Sequence, residues 1–478
     1  MKIRIVCIVF LFFLINTIGI AQNNLPGNKL TLQQSIETGI ANNLQVLQND
    51  LLSQTAEVNW KQAKANRFPD LNGSIGHGIN QGRSIDPFTN GYINQQVNYA
   101  SYGINSGVTL FNGFAIQNNI KQTQLIFQAS KMELQQAKDN LTINIILAYL
   151  QVLNNEDLLV QSRSQRDLSD KQVQRLEVLN KEGSIAPSEL SDVRGQLAND
   201  ELSIINNENA LETSKINLSR LMNVSYNKDL QLERIETASL ATKYEDTPDI
   251  IYAAALEKFA LIKAVDLRKQ SSVSAVKTAR GQLYPLLNFN GNANSNYSSA
   301  ASSDIFINTT DVPSSDYVVV NGNPSPVIRK QSNFSSRKID YGKQLNNNLF
   351  TSVSLNLRIP IFNSFQAKSR VSIAKINLKN DELVAQTTRT QLRQAIDQAY
   401  INMMSASGRY KTLLNQVAAF TESFHAAEIR FNSGVGNSID YLTAKNNLDR
   451  SNINFINAGF DFLLRVKILD YYEGKTLW

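Results

Sequence analysis

The chain has 478 residues and a formal charge of +6, from 47 basic and 41 acidic side chains, with one cysteine. Hydrophobic residues make up 42% and charged residues 18%, so the polar remainder is mostly uncharged Asn, Gln, Ser and Thr. This balance excludes a charged disordered chain. One thiol excludes a disulfide scaffold, and +6 spread over this length is no nucleic-acid-binding patch. Length alone suggests about three domains of roughly 150 residues.

Residues 1–21, MKIRIVCIVFLFFLINTIGIA, place Lys2 and Arg4 before an apolar run and end on Gly19 and Ala21. They read as a secretory signal peptide cleaved after about Ala21. Cleavage removes two of the positive charges and no acid, so +6 becomes +4, and it also removes Cys7. No later stretch supplies the roughly 18 consecutive apolar residues of a transmembrane helix. Any membrane contact is then made by β-strands or at a surface.

Glycine and proline, the strongest punctuators, set the expected elements. In residues 22–221 the pattern predicts helices at 31–67, 114–182 and 187–222, with strands at about 69–80 and 101–111. An inter-repeat segment covers 222–248. In residues 249–472 helices follow at 249–282, 364–433 and 438–472, with strands at about 286–297 and 349–361, before a tail at 473–478. Residues 114–182 contain neither Pro nor Gly, and 365–433 contain only Gly408. Helices this long, about 100 Å each at 1.5 Å per residue, exceed globular lengths and suggest coiled-coil packing. Leu190, Val193, Leu197, Ile204, Leu211, Leu218 and Leu221 supply the heptad seam.

The chain is internally duplicated. An offset of 251 carries that seam onto Tyr441, Ala444, Leu448, Phe455, Phe462, Leu469 and Tyr472, Phe111-Asn112 onto Phe362-Asn363, and Gly183 onto Gly434. Upstream an offset of 216 carries Asp50-Leu51 onto Asp266-Leu267 and Phe68-Pro69 onto Tyr284-Pro285. Phe111 to Gly183 and Phe362 to Gly434 both span 72 residues, whereas Pro69 to Phe111 spans 42 and Pro285 to Phe362 spans 77, a difference of 35. Helix length is held and the connector varies, as expected for a surface loop. The loops are 81–100 and 298–348.

The strands alternate. Leu287, Phe289, Gly291 and Ala293 interleave with Asn288, Asn290, Asn292 and Asn294, and Val353, Leu355 and Leu357 interleave with Ser354, Asn356 and Arg358. Such a period-2 pattern suits a transmembrane barrel and equally a soluble sheet with one wet face. Four strands cannot close a channel, and open edges are forbidden in lipid. A membrane barrel would therefore be shared: two chains give eight strands, a barrel filled by its own side chains, and three give twelve, which suits a conduit better.

His77 and His425 stand 348 positions apart with no partnering cysteine, and no metal-ligand spacing or nucleophile–base pattern occurs. No enzyme, metal site or cofactor is expected.

The run Arg430-Phe431-Asn432-Ser433-Gly434-Val435-Gly436-Asn437-Ser438-Ile439-Asp440 closes the argument. With helix, hairpin, long helix, turn and helix repeated twice after a signal peptide, the whole exported sequence resembles the TolC-like outer-membrane efflux proteins. The resemblance implies a mainly α fold of duplicated long antiparallel helical hairpins, with four β-strands contributing to a shared trimeric twelve-stranded barrel. It implies a passive conduit from periplasm to exterior in a tripartite efflux or type I secretion system. The partners implied are two further copies of the chain, a periplasmic adaptor, an inner-membrane pump reached through that adaptor, and outer-membrane lipid. Residues 222–248 and the C-terminal end would form a belt around the tunnel. Glu189, Asp192 and Asp440 become candidates for an acidic periplasmic gate. Gly183, Arg430, Gly434 and Gly436 become candidates for the tip turns and the adaptor contact. The family's second acid after the second turn is replaced by Thr443, and Leu179 stands at the position matching Arg430. The same acids also suit first helical turns, where they offset the macrodipole. A periplasmic coiled-coil adaptor or tether is the alternative reading.

Overall fold

The structure, a computed structural model, describes residues 29–85, 90–235, 244 and 246–475; the predicted signal peptide, part of 222–248 and the last three residues lie outside these. In chain order the elements are α1 (Leu32–Asn42), α2 (Leu44–Ala65), β1 (Asn72–Asn80), β2 (Arg83–Ile85), β3 (Tyr92–Asn94), β4 (Val97–Phe111), α3 (Ala115–Lys181) and α4 (Pro187–Met222). The second half gives α5 (Pro248–Lys258), α6 (Ala260–Gly281), β5 (Leu286–Ser298), β6 (Ser302–Val320), β7 (Asn323–Lys338), α7 (Tyr341–Asn347), β8 (Phe350–Arg358), α8 (Gln366–Asn432) and α9 (Ser438–Glu473). The duplication is metric. Helices α1, α2, α3 and α4 have 11, 22, 67 and 36 residues, and α5, α6, α8 and α9 have 11, 22, 67 and 36.

Two expected single helices are broken. The stretch 31–67 divides at Asn43, whose amide still donates to the Gly39 carbonyl at 2.8 Å while its own backbone turns extended (φ −68°, ψ 121°). The Asn43 side chain then accepts from the amide of Gln45 at 3.0 Å and caps the next helix. The stretch 249–282 divides in the same way at Phe259 (φ −68°, ψ 123°). Asn43 and Phe259 are 216 apart, so the break is itself part of the repeat, invisible without a Pro or Gly to mark it.

The chain forms two compact units. Among the described residues, one comprises those up to Leu51, those of Glu133–Leu261 and those from Arg389. Its main core packs Ile36, Ile145, Ile146, Tyr149, Leu150, Val152, Leu218, Met222 and Leu463. The inter-repeat segment is tied in at Leu30, whose amide and carbonyl bond Gln231 and Glu233 at 2.9 and 3.0 Å. In both hairpins the helices run antiparallel: Ser169 meets Asp200 and Glu177 meets Arg194, and Tyr410 stacks on Phe455. The predicted seam lies buried or half-buried throughout, from Leu190 to Leu221 and from Tyr441 to Tyr472.

The other unit comprises Leu52–Met132 and Ile262–Thr388. It holds an antiparallel four-stranded sheet in the order β1-β4-β5-β8. Its register separates the two faces. Asn72, Asn105, Asn292 and Ser352 are paired in one row, and Thr109, Asn288 and Asn356 in another. The polar face is cross-linked by Ser352 Oγ donating to Asn292 Oδ1 at 2.8 Å and Thr109 Oγ1 donating to Asn288 Oδ1 at 3.0 Å. On the opposite face Val108, Phe289 and Leu355 form a row beside Leu287 and Leu357. That apolar face is open, with Ile75 79% and Val353 71% exposed.

The expected loops are partly ordered strand. Segment 81–100 contains the short β2–β3 hairpin and the first residues of β4. Segment 298–348 contains α7 and the β6–β7 hairpin. Pro313, Pro324 and Pro326 argue against a central strand, but a two-stranded hairpin has no central strand to interrupt. Its turn, Asn321-Gly322, has both φ values positive (53° and 84°), the backbone a tight hairpin needs. Strand β8 stops at Arg358 rather than 361, two residues before Pro360, which has no amide to donate.

Candidate functional site at the two helical turns

Helices α3 and α8 each end on a glycine in the left-handed region, Gly183 at φ +71° and Gly434 at φ +74°. In the first turn the Ser184 amide reaches back to the Leu179 carbonyl at 2.9 Å, and in the second the Val435 amide reaches Arg430 at 3.0 Å. This backbone closure satisfies the orphan carbonyls of the helix end. A Cβ on Gly183 or Gly434 would meet nothing within 4 Å, so glycine is there for its dihedral and not for room. Gly436 is there for room: a Cβ would sit 3.2 Å from the Phe431 nitrogen, whose helix end Gly436 crosses.

The returning helices start differently. Helix α4 begins with Pro187 and no side-chain cap, with Glu189 in its first turn. Helix α9 is capped by Asn437, whose side chain accepts from the Asp440 amide at 2.7 Å, with Asp440 in the first turn. Behind both turns, one apolar cluster unites the four helix ends: Val173, Leu176, Leu190, Val193, Phe431 and Tyr441. Phe431 stacks on Tyr441 with ring centroids 4.9 Å apart.

Polar links cross from one hairpin to the other around this cluster. Ser438 Oγ donates to Asp192 Oδ2 at 3.1 Å. The Arg175 guanidinium donates to the side chain and carbonyl of Asn432. Deeper, Lys445 is 1% exposed, and its Nζ lies 3.0 Å from Asp200 on α4 and 2.7 Å from Asp449 on its own helix. Asp200 also accepts from Ser169 Oγ at 2.5 Å and from Gln196 at 2.8 Å. One buried cation thus faces a buried carboxylate, Asp200, and a half-buried one, Asp449. Burial holds the Asp449 carboxyl above its ordinary range, against the pull of Lys445. Burial likewise raises the Tyr441 hydroxyl, reinforced by Glu428, Asp449 and Asp200.

The structure therefore puts Gly183, Gly434 and Gly436 in the turns, Arg430 in the last helical turn of α8, and Glu189, Asp192 and Asp440 in the helical turns that follow. It brings Asp192 to Ser438. Glu189 is half-buried while Asp440 and Arg430 are exposed. Sequence reasoning missed Arg175, Asp200, Lys445 and Asp449. The available signal was Lys445 itself, a charge set between the seam residues Tyr441, Ala444 and Leu448. Among the described residues no group of His, Cys, Asp and Glu is placed to hold a metal ion, and no helix is long and apolar enough to cross a membrane.

Comparison with known proteins gives one family and one fold. The family model for outer membrane efflux protein matches residues 35–224 and 251–463, most of both repeats. No curated protein sequence matches the chain. The fold is similar to that of CusC, a protein studied for transmembrane channel formation, at 14% identity over 95% of this chain and 96% of that one, with a TM-score of 0.75. It is similar to the outer membrane protein VceC of Vibrio cholerae, at 14% identity, covering 94% and 97%, with a TM-score of 0.73. The CmeC outer membrane channel of Campylobacter jejuni matches at 14% identity, covering 93% and 85%, with a TM-score of 0.73.

Proposed function

The chain belongs to the outer membrane efflux protein family, and from that premise we propose that it is the outer-membrane conduit of a tripartite efflux or type I secretion system. Its family and structural relatives are channel proteins and not enzymes. The observation that carries the reading is the sheet β1-β4-β5-β8. One face is an Asn/Ser/Thr ladder, the other is exposed and apolar, and among the described residues both edges, β1 and β8, lack a partner strand. In lipid such edges must pair. All neighbours are antiparallel, so β8 of one chain meets β1 of the next in the same sense, and three copies close a twelve-stranded wall. Its apolar face meets lipid and its polar face lines water. A soluble tether has no use for that open apolar face.

The duplicated helices continue the conduit into the periplasm, with the two turns of each chain at its entrance. There Glu189, Asp192 and Asp440, repeated by the three-fold axis, form an acidic ring that favours cations. Gly183, Arg430, Gly434 and Gly436 present the turns to a periplasmic adaptor, which connects to an inner-membrane pump. The polar links from Arg175 to Asn432 and from Asp192 to Ser438 hold the two hairpins of a chain together at the entrance.

The test is electrical. Protein extracted from outer membranes and reconstituted in planar bilayers is expected to form cation-preferring pores, and absence of pores under every gating condition overturns the conduit. Asp440→Asn combined with Glu189→Gln is expected to weaken cation preference and block by multivalent cations. Unchanged selectivity removes the acids from the gate and leaves the conduit standing.

A further inference from the structure

Three helices join neighbouring strands of the sheet: α3 follows β4, α6 precedes β5 and α8 follows β8. Near the sheet their charge is one-sided. Residues 112–132, 267–285 and 358–380 hold eleven basic side chains and no acid, against 47 to 41 in the whole chain. Lys121, Lys277, Arg280 and Lys368 are exposed, and among the described residues none of the four has an ion-pair partner. The first repeat keeps the spacing, with Lys61, Lys64 and Phe68 at the positions of Lys277, Arg280 and Tyr284. There, however, Lys61 is held by Glu57 at 2.7 Å and Lys64 lies over the Trp60 ring at 3.8 Å. The free cations therefore gather on α3, α6 and α8.

An unusual backbone marks the same level. Phe114 and Phe365 have φ of +63° and +60°, where a bulky side chain is rare, and both rings are exposed, at 61% and 62%. Strain kept at the same place in both repeats points to a use. Phe111 stands opposite Leu287 on the apolar row of the sheet and meets Phe114 edge to face. Phe362 and Phe365 repeat that pair, and the Lys368 ammonium lies over the Phe365 ring at 5.9 Å. The apolar face thus ends on aromatic rings and passes directly into cations. Periodicity puts the other cations on that side, because residues two apart on a helix point in opposite directions. Arg370 donates to Gln282 at 2.9 Å, so these two share one surface of the helical layer, and Lys368 and Arg280 share the other. Lys277 lies one turn from Arg280, and Lys121 two turns from Phe114.

Heights agree with a membrane boundary. Tyr102 to Phe111 is nine residues of β4, about 30 Å along a strand and about 23 Å at a tilt of about 40°, close to the apolar band of an outer-membrane barrel. Tyr102, bonded to Tyr341 at 2.6 Å, stands at the outer end. At the inner end Lys368 is three residues past Phe365 and Arg280 four before Tyr284, about 5 to 6 Å along a helix. A headgroup layer extends about 5 to 7 Å beyond the hydrocarbon. Lys121 and Lys277 stand about 10 Å out, and their long side chains reach back across that gap.

Resting on the barrel reading above, we propose that Lys121, Lys277, Arg280 and Lys368 form a binding patch for the phosphate of an anionic phospholipid in the periplasmic leaflet of the outer membrane. Charge and position fix the occupant: cations without counter-ions face the headgroup layer, and the exposed rings beside them suit its apolar boundary. The three-fold axis repeats the patch three times. It also fixes how deep the wall sits, since the cations resist entering hydrocarbon and the rings resist leaving it.

Full-length trimers, stripped of lipid in detergent, are titrated with phosphatidylglycerol or with phosphatidylethanolamine, and bound lipids are counted by native mass measurement. Phosphatidylglycerol is expected to bind at least fivefold more tightly, as for one cation near an anionic headgroup, and the preference should shrink as salt rises. Lys121→Gln, Lys277→Gln, Arg280→Gln and Lys368→Gln together should abolish it. Arg280→Gln alone should weaken it about fivefold, and serves if the combined variant does not assemble. Lys375→Gln with Lys379→Gln, about 15 and 21 Å beyond Phe365, should leave it unchanged. Equal binding of the two lipids by wild-type trimers overturns the patch. So does a preference that survives the combined substitution, or one lost equally in the Lys375 and Lys379 variant. If the combined substitution strips lipopolysaccharide and leaves phosphatidylglycerol bound, the cations serve the other leaflet and the proposal is wrong. Trimers that conduct in planar bilayers without any lipid preference lose the patch and keep the conduit, whereas protein that neither assembles nor conducts loses both.

Discussion

Replacing Lys445 by methionine isolates the energetics of the buried ion cluster behind the turns. Lys445 and Asp200 have side chains 1% and 6% exposed, and Asp449 16%. Removing one partner of a buried pair costs about 3–5 kcal/mol, because the remaining charge is left uncompensated. Here two carboxylates remain, and Asp449, already held above its ordinary range by burial, takes up a proton and limits the loss to about 3 kcal/mol. At 1.4 kcal/mol per tenfold, local opening becomes about a hundredfold more frequent. Amide exchange of the peptides covering 165–200 and 441–451 reads this directly. The pH sign follows from the same shift. The folded chain holds the Asp449 proton more tightly than the unfolded chain, where the carboxyl has its ordinary value of 3.8. Stability is therefore full below that value and is lost as pH rises through the raised folded value. Without Lys445 the folded value rises further, so the deficit should be larger at pH 8 than at pH 5. Adding Asp200→Asn and Asp449→Asn removes the stranded charges and should recover most of the loss. Wild-type protection in the Lys445→Met variant, or a deficit equal at both pH values, refutes the reasoning.

Other expectations follow from single contacts. Gly434→Ala meets no steric obstacle but forces alanine to φ +74°, a cost of about 1–2 kcal/mol; the turn should fray, and trypsin should cut at Arg430 several-fold faster. Val353→Arg, on the open apolar face, should cost about 2–4 kcal/mol in lipid and reduce the heat-modifiable folded fraction on gels, whereas Ser352→Arg on the polar face should not. The Tyr149 hydroxyl lies 2.9 and 2.7 Å from the carbonyl oxygens of Leu30 and Glu233. Tyr149→Phe should cost about 1 kcal/mol, seen as faster exchange of the Leu30 and Glu233 amides.

What could be read from the residues alone was periodicity and its repetition. The long helices announced themselves because nothing in 114–182 could stop them, and the sheet faces because Asn and Ser alternate with Val, Leu and Phe. The breaks at Asn43 and Phe259 were not legible, since neither residue forbids a helix; the break is made by extended backbone and, at Asn43, by a new cap. The β6–β7 hairpin was masked by its prolines, although Asn321-Gly322 is a strong turn signal. At the turns, the glycines and first-turn acids were visible as motif. The cluster of Lys445, Asp200 and Asp449 was not, because it joins residues about 245 apart that share no motif.

The repeats differ where the turns need it. Helix lengths agree residue for residue, and the Phe111–Phe114 pair recurs as Phe362–Phe365, each edge to face at 5.5 Å. Yet Lys445 stands at the position of Arg194, which pairs on the surface with Glu177 at 2.8 Å, and Ser451 stands at the position of Asp200. The ion cluster therefore takes its cation from the second repeat and Asp200 from the first, and neither repeat could build it with a copy of itself. Two hairpins of equal length could exchange places around a three-fold axis, each filling the other's role in the wall. A charge buried in one and countered from the other makes that exchange costly, because the swapped arrangement would strand Asp200 or Lys445 without its partner. The duplication supplies equal lengths, and the unmatched residues at 194, 200, 445 and 451 make the two hairpins chemically distinct.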